Sequence, residues 1–119
     1  MFDHVGFHVQ NLAESDSFYR LLLQSLGYEV IFTKEQCIAY RQNGVPIFEI
    51  YIGKQPSRNV HIAFKASSKQ IVELFHSTGL FLGAQDNGVP GYRDYAPGYY
   101  AAFIIDKNGH NLEAVYWDI

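Results

Sequence analysis

The sequence has little cysteine, no long hydrophobic run and no cluster of positive charge. Cys37 is the only cysteine in 119 residues, which excludes an internal disulfide and a cysteine-rich zinc site. The apolar runs are far shorter than the ~20 residues of a membrane-spanning helix. Nine Lys and Arg against twelve Asp and Glu give a formal net charge of -3, without a polybasic tract. We therefore expect neither nucleic acid nor a membrane as the main partner.

Composition and length predict one globular domain over residues 1–119. Hydrophobic residues make up 48% and charged residues 18%, a balance typical of folded domains. The first residues lack the basic start and apolar stretch of a secretory signal peptide. Together with the single cysteine, this makes the cytoplasm the expected location. Aromatic residues reach 16%, enough to fill a core or to line a pocket.

The first half of the chain predicts one helix and four strands. Residues 3–9 alternate between apolar and polar side chains, the pattern of a strand with one buried face. A helix follows, because Asn11 and Glu14 form a capping pattern before an apolar stripe of helical spacing. The remaining strands are predicted at 28–33, 36–42 and 46–53, with an Asn43-Gly44 turn between the last two.

The second half repeats this plan. Residues 60–66 alternate again, and a capping box at 67–70 precedes a second helical stripe that we expect to end at Gly79. Strands are predicted at 81–86, 99–105 and 111–117, with a tight turn at 106–109 and a long Gly- and Pro-rich loop at 86–98. The order β-α-β-β-β therefore occurs twice, in about 1–56 and 57–119, which makes the fold class α+β.

Four ionisable residues interrupt these apolar strands: His4, Glu49, His61 and Glu113. The two histidines open the first strand of each repeat, and the two glutamates lie in the last strand. A buried carboxylate is costly unless it is paired or binds a metal. Two imidazoles and two carboxylates suit a divalent ion such as zinc, nickel, manganese or iron. Structural roles stay open, since a strand histidine is often structural and a strand glutamate can protect a sheet edge.

The chain resembles the vicinal oxygen chelate superfamily, which includes glyoxalase I, fosfomycin-resistance enzymes, extradiol dioxygenases and bleomycin-resistance proteins. The similarity rests on Asp3–Val9 followed by Phe18-Tyr19, on Val60–Phe64, and on Ala102–Glu113. It implies two βαβββ modules that form a cup-shaped mixed sheet around one metal, with helices on the convex face. His4, His61 and Glu113 match the superfamily's ligand positions, and Glu49 matches the fourth-strand glutamate of glyoxalase I.

The resemblance also implies an activity. We expect a metal-dependent, glyoxalase-like lyase or isomerase, in which the metal acts as a Lewis acid on a small oxygen-chelating substrate. Either Glu113 or Glu49 would be the base. The alternatives are a binding or resistance protein without turnover, and a dioxygenase, against which Glu49 counts. His8 stands where glyoxalase I carries a glutathione-binding arginine, so we expect weak or absent turnover of the methylglyoxal–glutathione hemithioacetal.

Four further residues are candidates for contact with a small-molecule substrate: His8, Tyr51, Arg93 and Tyr99. A solvent-facing strand end for His8, a solvated loop charge for Arg93 and core packing for the tyrosines remain open as structural roles. We expect His76 and His110 at the surface and Cys37 as a small buried hydrophobe. In the superfamily a cup can form within one chain or between two swapped chains, so a homodimer is a further expectation.

Overall fold

The computed structural model describes residues 2–43 and 46–119. Contacts divide the chain into an N-terminal unit, Met1–Ser57, and a C-terminal unit, Arg58–Ile119. The elements are, in order, β1 (His4–Val9), α1 (Leu12–Gln24), β2 (Glu29–Thr33), β3 (Cys37–Arg41), β4 (Ile47–Ile52), β5 (His61–Lys65), α2 (Lys69–Phe81), β6 (Gln85–Tyr92), β7 (Tyr99–Ile105) and β8 (Asn111–Trp117). The predicted α+β class and the repeated βαβββ order are confirmed.

The N-terminal unit is a four-stranded mixed sheet covered on one face by α1. Its strand order is β1-β4-β3-β2, with β1 parallel to β4 and the other pairs antiparallel. Phe7 and Phe48 pack their rings against Tyr19 of α1, and all three are almost fully buried. Because strand side chains alternate, His4 and Glu49 stand on the face opposite the helix.

The C-terminal unit repeats this arrangement. Its strand order is β5-β8-β7-β6, again with one parallel pair, β5 and β8. The registers of the two units also correspond. Gly6, two residues after His4, pairs with Glu49, and Ala63, two residues after His61, pairs with Glu113. Each unit therefore presents one histidine and one glutamate on neighbouring parallel strands, on the face that its helix does not cover.

Local capping explains where the helices begin. The Asn11 side chain accepts a hydrogen bond from the Glu14 amide at 3.0 Å, and Ser68 accepts one from the Ile71 amide at 3.2 Å. Both caps satisfy amides that have no partner within the helix. Gly27, with φ +88°, takes the chain out of α1 in the left-handed conformation that glycine adopts readily.

The second helix and the following segment differ from the sequence prediction. α2 continues to Phe81, so Gly79 is a buried interior residue and the predicted stop there is wrong. Gly83, with φ +99°, follows the end of the helix instead. The strand predicted at 81–86 begins only at Gln85, and the predicted loop 86–98 contains most of β6. β6 is an edge strand with two register shifts, an arrangement that tolerates glycine and proline.

Short sequence motifs predict two tight turns, at Asn43-Gly44 and at 106–109. The 106–109 turn is confirmed, because the Gly109 amide bonds the Asp106 carbonyl at 3.1 Å and Gly109 has φ +86°. The Asn43-Gly44 turn lies partly outside the described residues.

Among the helices of the described ranges, none is long and apolar enough to cross a membrane.

Candidate functional site

In the N-terminal unit, His4 and Glu49 lie close enough to interact electrostatically. The Asp3 carboxylate accepts a hydrogen bond from His4 Nδ1 at 2.8 Å. This bond, with the Glu49 charge as a second cause, raises the pKa of His4. Because Nδ1 is engaged by Asp3, the Nε2 atom of His4 is the nitrogen left for another ligand.

A cleft of about 410 Å³ opens beside this pair. It is lined by His4, Gln36, Cys37, Glu49, Tyr51 and Ile52. The Tyr51 ring lies over Gly6, where an added Cβ would stand 2.9 Å from a ring carbon and 2.6 Å from the Glu49 carbonyl oxygen. Gly6 therefore allows Tyr51 to lie beside Glu49. No described residue donates a hydrogen bond to the half-buried Glu49 carboxylate, so it faces the cleft.

His8 lies just beyond Tyr51. The two rings meet edge to face with centroids 4.5 Å apart. The His8 backbone exchanges two hydrogen bonds with Ser57, at 3.0 and 3.1 Å, which tie the end of the unit to β1. The ring packs against Gly53, where a Cβ would come within 2.4 Å of it. His8 is thus an exposed neighbour of the cleft and is not among its lining residues.

In the C-terminal unit, His61 and Glu113 are in direct contact. His61 Nε2 lies 3.1 Å from Glu113 Oε1, and Glu113 is only 2% exposed. His61 Nδ1 lies 2.9 Å from the Asn111 carbonyl oxygen. A carbonyl can only accept, so Nδ1 carries the proton and a neutral ring turns its Nε2 lone pair toward the carboxylate. Two electron-rich atoms at this distance repel, so the pair fits a cation, either a proton or a metal ion.

Tyr99 holds the other oxygen of this carboxylate. Its hydroxyl donates a hydrogen bond to Glu113 Oε2. Burial, reinforced by this bond to Glu113, raises the pKa of Tyr99. The phenol therefore remains a proton donor at neutral pH. Tyr99 also packs edge to face against Trp117 and Tyr95, with centroid distances of 4.9 and 5.2 Å.

Arg93 lies on the same face as His61. Its guanidinium carbon stands 5.4 Å from the centroid of the Phe103 ring, and that ring stacks on His61 at 6.3 Å. Phe103 pairs with Glu113 across β7 and β8, which fixes its side of the sheet. The guanidinium donates hydrogen bonds to the carbonyls of Gly91 and Val89.

The predicted residues thus gather in two groups, one in each unit. The first group is the cleft with His4, Glu49 and Tyr51, and His8 lies beside it. In the second group, Glu113 contacts both His61 and Tyr99. Arg93 does not touch these three, but it packs against Phe103, which in turn stacks on His61. Within either unit, no three described His, Cys, Asp or Glu side chains form a group that could hold a metal ion. The assembly of all four metal candidates around one ion stays a prediction.

Sequence reasoning missed several partners of these residues. Asp3, Asn111 and Phe103 each contact a predicted histidine, and Cys37, expected to be a buried hydrophobe, is a half-buried part of the cleft lining. Asp3 could have been found as the carboxylate adjacent to His4, and Phe103 by alternation along β7. The expectation of surface positions for His76 and His110 is wrong: the two are 7% and 0% exposed.

Comparison with known proteins gives a consistent result at the level of structure. No family model matches the chain, and no curated protein matches it. A glyoxalase/bleomycin resistance protein from Albidiferax ferrireducens T118 is 30% identical, with 98% of each chain covered and a TM-score of 0.87.

Two more distant structures share the fold alone. A glyoxalase/bleomycin resistance protein/dioxygenase family enzyme from Burkholderia phytofirmans PsJN is 13% identical, with 97% of each chain covered and a TM-score of 0.75. A lactoylglutathione lyase from Agrobacterium tumefaciens is 15% identical, with 98% of this chain and 92% of that chain covered and a TM-score of 0.72.

Two βαβββ units, each a four-stranded mixed sheet with one helix, give the chain the glyoxalase-like fold of these structures. The chain belongs to the glyoxalase/bleomycin resistance/dioxygenase family of the vicinal oxygen chelate superfamily.

Proposed function

We propose that this protein is a metal-dependent, glyoxalase-like enzyme of the lyase or isomerase type. The observation that carries the proposal is the His61–Glu113 pair, in which Nδ1 is committed to a backbone carbonyl and Nε2 faces a buried carboxylate. His4, Glu49, His61 and Glu113 would hold a divalent zinc, nickel, manganese or iron ion. Such an ion supplies Lewis-acid polarisation to two oxygens of a small chelating substrate.

The two glutamates are suited to different tasks. Glu113 is enclosed, and the Tyr99 hydroxyl holds one of its carboxylate oxygens, which restricts its movement. Glu49 is half-buried in an open cleft and receives no hydrogen bond from a described residue. A general base must approach the carbon acid and then return the proton, so it needs some freedom. We therefore assign the base to Glu49 and the role of fixed ligand to Glu113.

The tyrosines and His8 would serve substrate binding around this centre. Tyr51 lies beside Glu49 in the cleft, where a phenol can orient a substrate oxygen. Tyr99 acts mainly through Glu113, so its contribution to binding is indirect. His8 lacks the permanent charge of arginine, and this supports the expectation that the methylglyoxal–glutathione hemithioacetal is a poor substrate. We expect kcat/KM below about 10⁴ M⁻¹s⁻¹ for it.

The test begins with metal content. Purified protein is stripped with EDTA, dialysed separately against Ni²⁺, Zn²⁺, Mn²⁺ and Fe²⁺, and analysed for bound metal. The wild type should retain about one equivalent of at least one ion, and Glu113→Gln should retain much less. Glu73→Gln is the matched control, because Glu73 also accepts a tyrosine hydroxyl, from Tyr100 at 2.7 Å, but on the helix side of the sheet.

A screen of α-oxo aldehydes, 2-hydroxy ketones and their thiol adducts then tests turnover with the retained metal. Turnover that depends on the metal and on Glu49 supports the proposal. Equal metal retention in the wild type and Glu113→Gln would contradict it. Tight metal binding without turnover of any compound would favour the second class, a binding or resistance protein.

A further inference from the structure

The Arg93 side chain packs along β6, the strand that ends one residue before it. Its side chain turns back along β6, where Nη1 donates to the Gly91 carbonyl at 2.9 Å and Nη2 to the Val89 carbonyl at 2.8 Å. Gly88 makes room for it, because a Cβ there would lie 3.0 Å from Nη2. A Cβ on Gly91 would lie at ordinary contact distance, 3.4 Å from Nη1. The backbone carbonyls of Gly91 and Val89 therefore hold the guanidinium in place without help from a ligand.

The Arg93 guanidinium and the candidate metal ligand His61 both pack against the ring of Phe103. Its central carbon stands 5.4 Å over the Phe103 ring, which is nearly parallel to His61, with an interplanar angle of 22° and centroids 6.3 Å apart. Phe103 is 9% exposed and pairs with Glu113 in the sheet. Arg93 thus lies on the same face of the sheet as His61 and Glu113.

The positive charge of Arg93 is not neutralised. Its partners are neutral carbonyls, and no carboxylate of the described ranges lies within 4.0 Å of it. Lys69, another cation of this unit, is engaged with Tyr92 and Asp118. A guanidinium has five N–H donors, and the two bonds to carbonyls leave others for a ligand. A fixed, half-buried guanidinium is well suited to bind a carboxylate or a phosphate.

We propose that Arg93 is an oxyanion-binding site, which takes a carboxylate or phosphate group on the substrate. The proposal rests on the proposed function only in assigning that group to the same molecule that reaches His61 and Glu113. It narrows the substrate to an oxygen-chelating compound that also carries a negatively charged group able to reach Arg93 across the Phe103 ring. A purely structural arginine, which only braces the bulged strand, would have no affinity for anions.

The experiment is an NMR titration of the EDTA-treated protein at constant ionic strength. The Nε–H signals of the arginines are followed during addition of inorganic phosphate and, separately, of acetate. The Arg93 signal is identified by its absence in Arg93→Gln. Arg58→Gln removes the same charge from an exposed position of the same unit and serves as the control.

The expected result is a saturable shift of the Arg93 signal with at least one of the two anions. The dissociation constant read from the neighbouring Tyr99 and Phe103 signals should rise about tenfold or more in Arg93→Gln and change less than about twofold in Arg58→Gln. Phosphate as the stronger ligand would indicate a phosphorylated substrate, and acetate a carboxylate. The shift of the wild-type Arg93 signal is the primary measurement, and unchanged positions of the other arginine signals show that Arg93→Gln is folded.

Absence of a saturable Arg93 shift with both anions would overturn the proposal, as would equal affinity in wild type and Arg93→Gln. These measurements are made without metal, so they are separate from the test of the proposed function. A protein that binds phosphate at Arg93 but retains no metal would keep this inference and lose the proposed function. A protein that retains metal but gives no shift would do the reverse.

Discussion

The two units share a backbone plan but enclose their glutamates to different degrees. Glu49 and Glu113 have the same register relative to the histidine of their unit. Across the next strand, however, Glu49 pairs with Ala39, whereas Glu113 pairs with Phe103. The larger neighbour covers Glu113, and Tyr99 completes its enclosure. Equal positions in a repeat therefore do not imply equal chemistry, because the side chain on the adjacent strand decides solvent access.

The two units also differ in solvent access at the position two residues after each glutamate. Tyr51 in the N-terminal unit corresponds to Val115 in the C-terminal unit, since each follows its glutamate by two residues. Tyr51 lines an open cleft, whereas Val115 belongs to a buried cluster with Ala101 and Phe103. The N-terminal unit thus offers a polar, accessible surface, and the C-terminal unit offers a supported, largely apolar one. The following predictions test this difference, from the largest expected effect to the smallest.

Separate substitutions of Glu49 and Glu113 should distinguish the general base from the fixed metal ligand. Glu49→Gln should lower kcat by about 10²–10⁴, because an amide cannot accept the substrate proton. Glu113→Gln should instead act mainly through loss of metal. Activity measured at saturating metal, together with metal content, distinguishes the two. The assignment fails if Glu49→Gln at full metal occupancy keeps wild-type kcat with the substrate identified in the screen.

Removal of one hydroxyl should reveal the support given to Glu113. Tyr99→Phe should weaken metal binding by about 10–100-fold, the usual effect of losing an outer-shell hydrogen bond to a ligand. The adjacent Tyr100→Phe loses a bond to Glu73 and should leave metal affinity unchanged. Both should lower unfolding free energy by about 1 kcal/mol. Isothermal titration with Ni²⁺ and thermal melts measure the two effects. Equal metal affinities in the two variants would show that Tyr99 is structural only.

Gly6 pairs with Glu49 and Ala63 pairs with Glu113, so each can be replaced by the residue that the other unit has at this position. Gly6→Ala should destabilise the protein by about 1–3 kcal/mol, because the new Cβ would stand 2.6 Å from the Glu49 carbonyl oxygen and force the strands apart. Ala63→Gly, at the corresponding position, should cost only about 0.5–1 kcal/mol through backbone entropy. Urea denaturation measures both values. A smaller loss for Gly6→Ala than for Ala63→Gly would contradict this account.

The smallest predicted effect concerns pH. Burial lowers the pKa of His110 below its ordinary value of 6.5. The unfolded chain then binds a proton at a higher pH than the folded one, so the free energy of unfolding falls as pH decreases below 6.5. His110→Asn keeps an acceptor for the Val60 amide and should flatten this dependence. Denaturation series between pH 7.5 and pH 5 provide the measurement, and an identical slope in both proteins would refute the expectation.

Much of the fold followed from local patterns. The alternation in β1 and β5, the cap at Asn11 and the 106–109 turn each depend on neighbours in sequence, and the structure confirms them. The second cap lies one residue later than the predicted box at 67–70 implies, because Ser68 and not Ser67 accepts the hydrogen bond, from the Ile71 amide. Positions 86–92 were not predicted correctly, because glycine and proline there indicate a loop, whereas pairing with β7 makes them a bulged edge strand. The sequence also predicts a helix end at Gly79, because glycine is common at that position. In the structure α2 continues past Gly79 to Phe81, and Gly79 is buried.

Sequence alone determined the order of elements and the face on which each histidine and glutamate stands. Those properties follow from a period of two residues and from capping chemistry, which act within a few residues. Only the tertiary structure decided that Glu113 is enclosed by Phe103 and Tyr99, that Glu49 stays open to a cleft, and that the Arg93 guanidinium packs against Phe103. Each of these depends on which side chain the strand register brings across from another strand, and a one-residue slip would change every such neighbour.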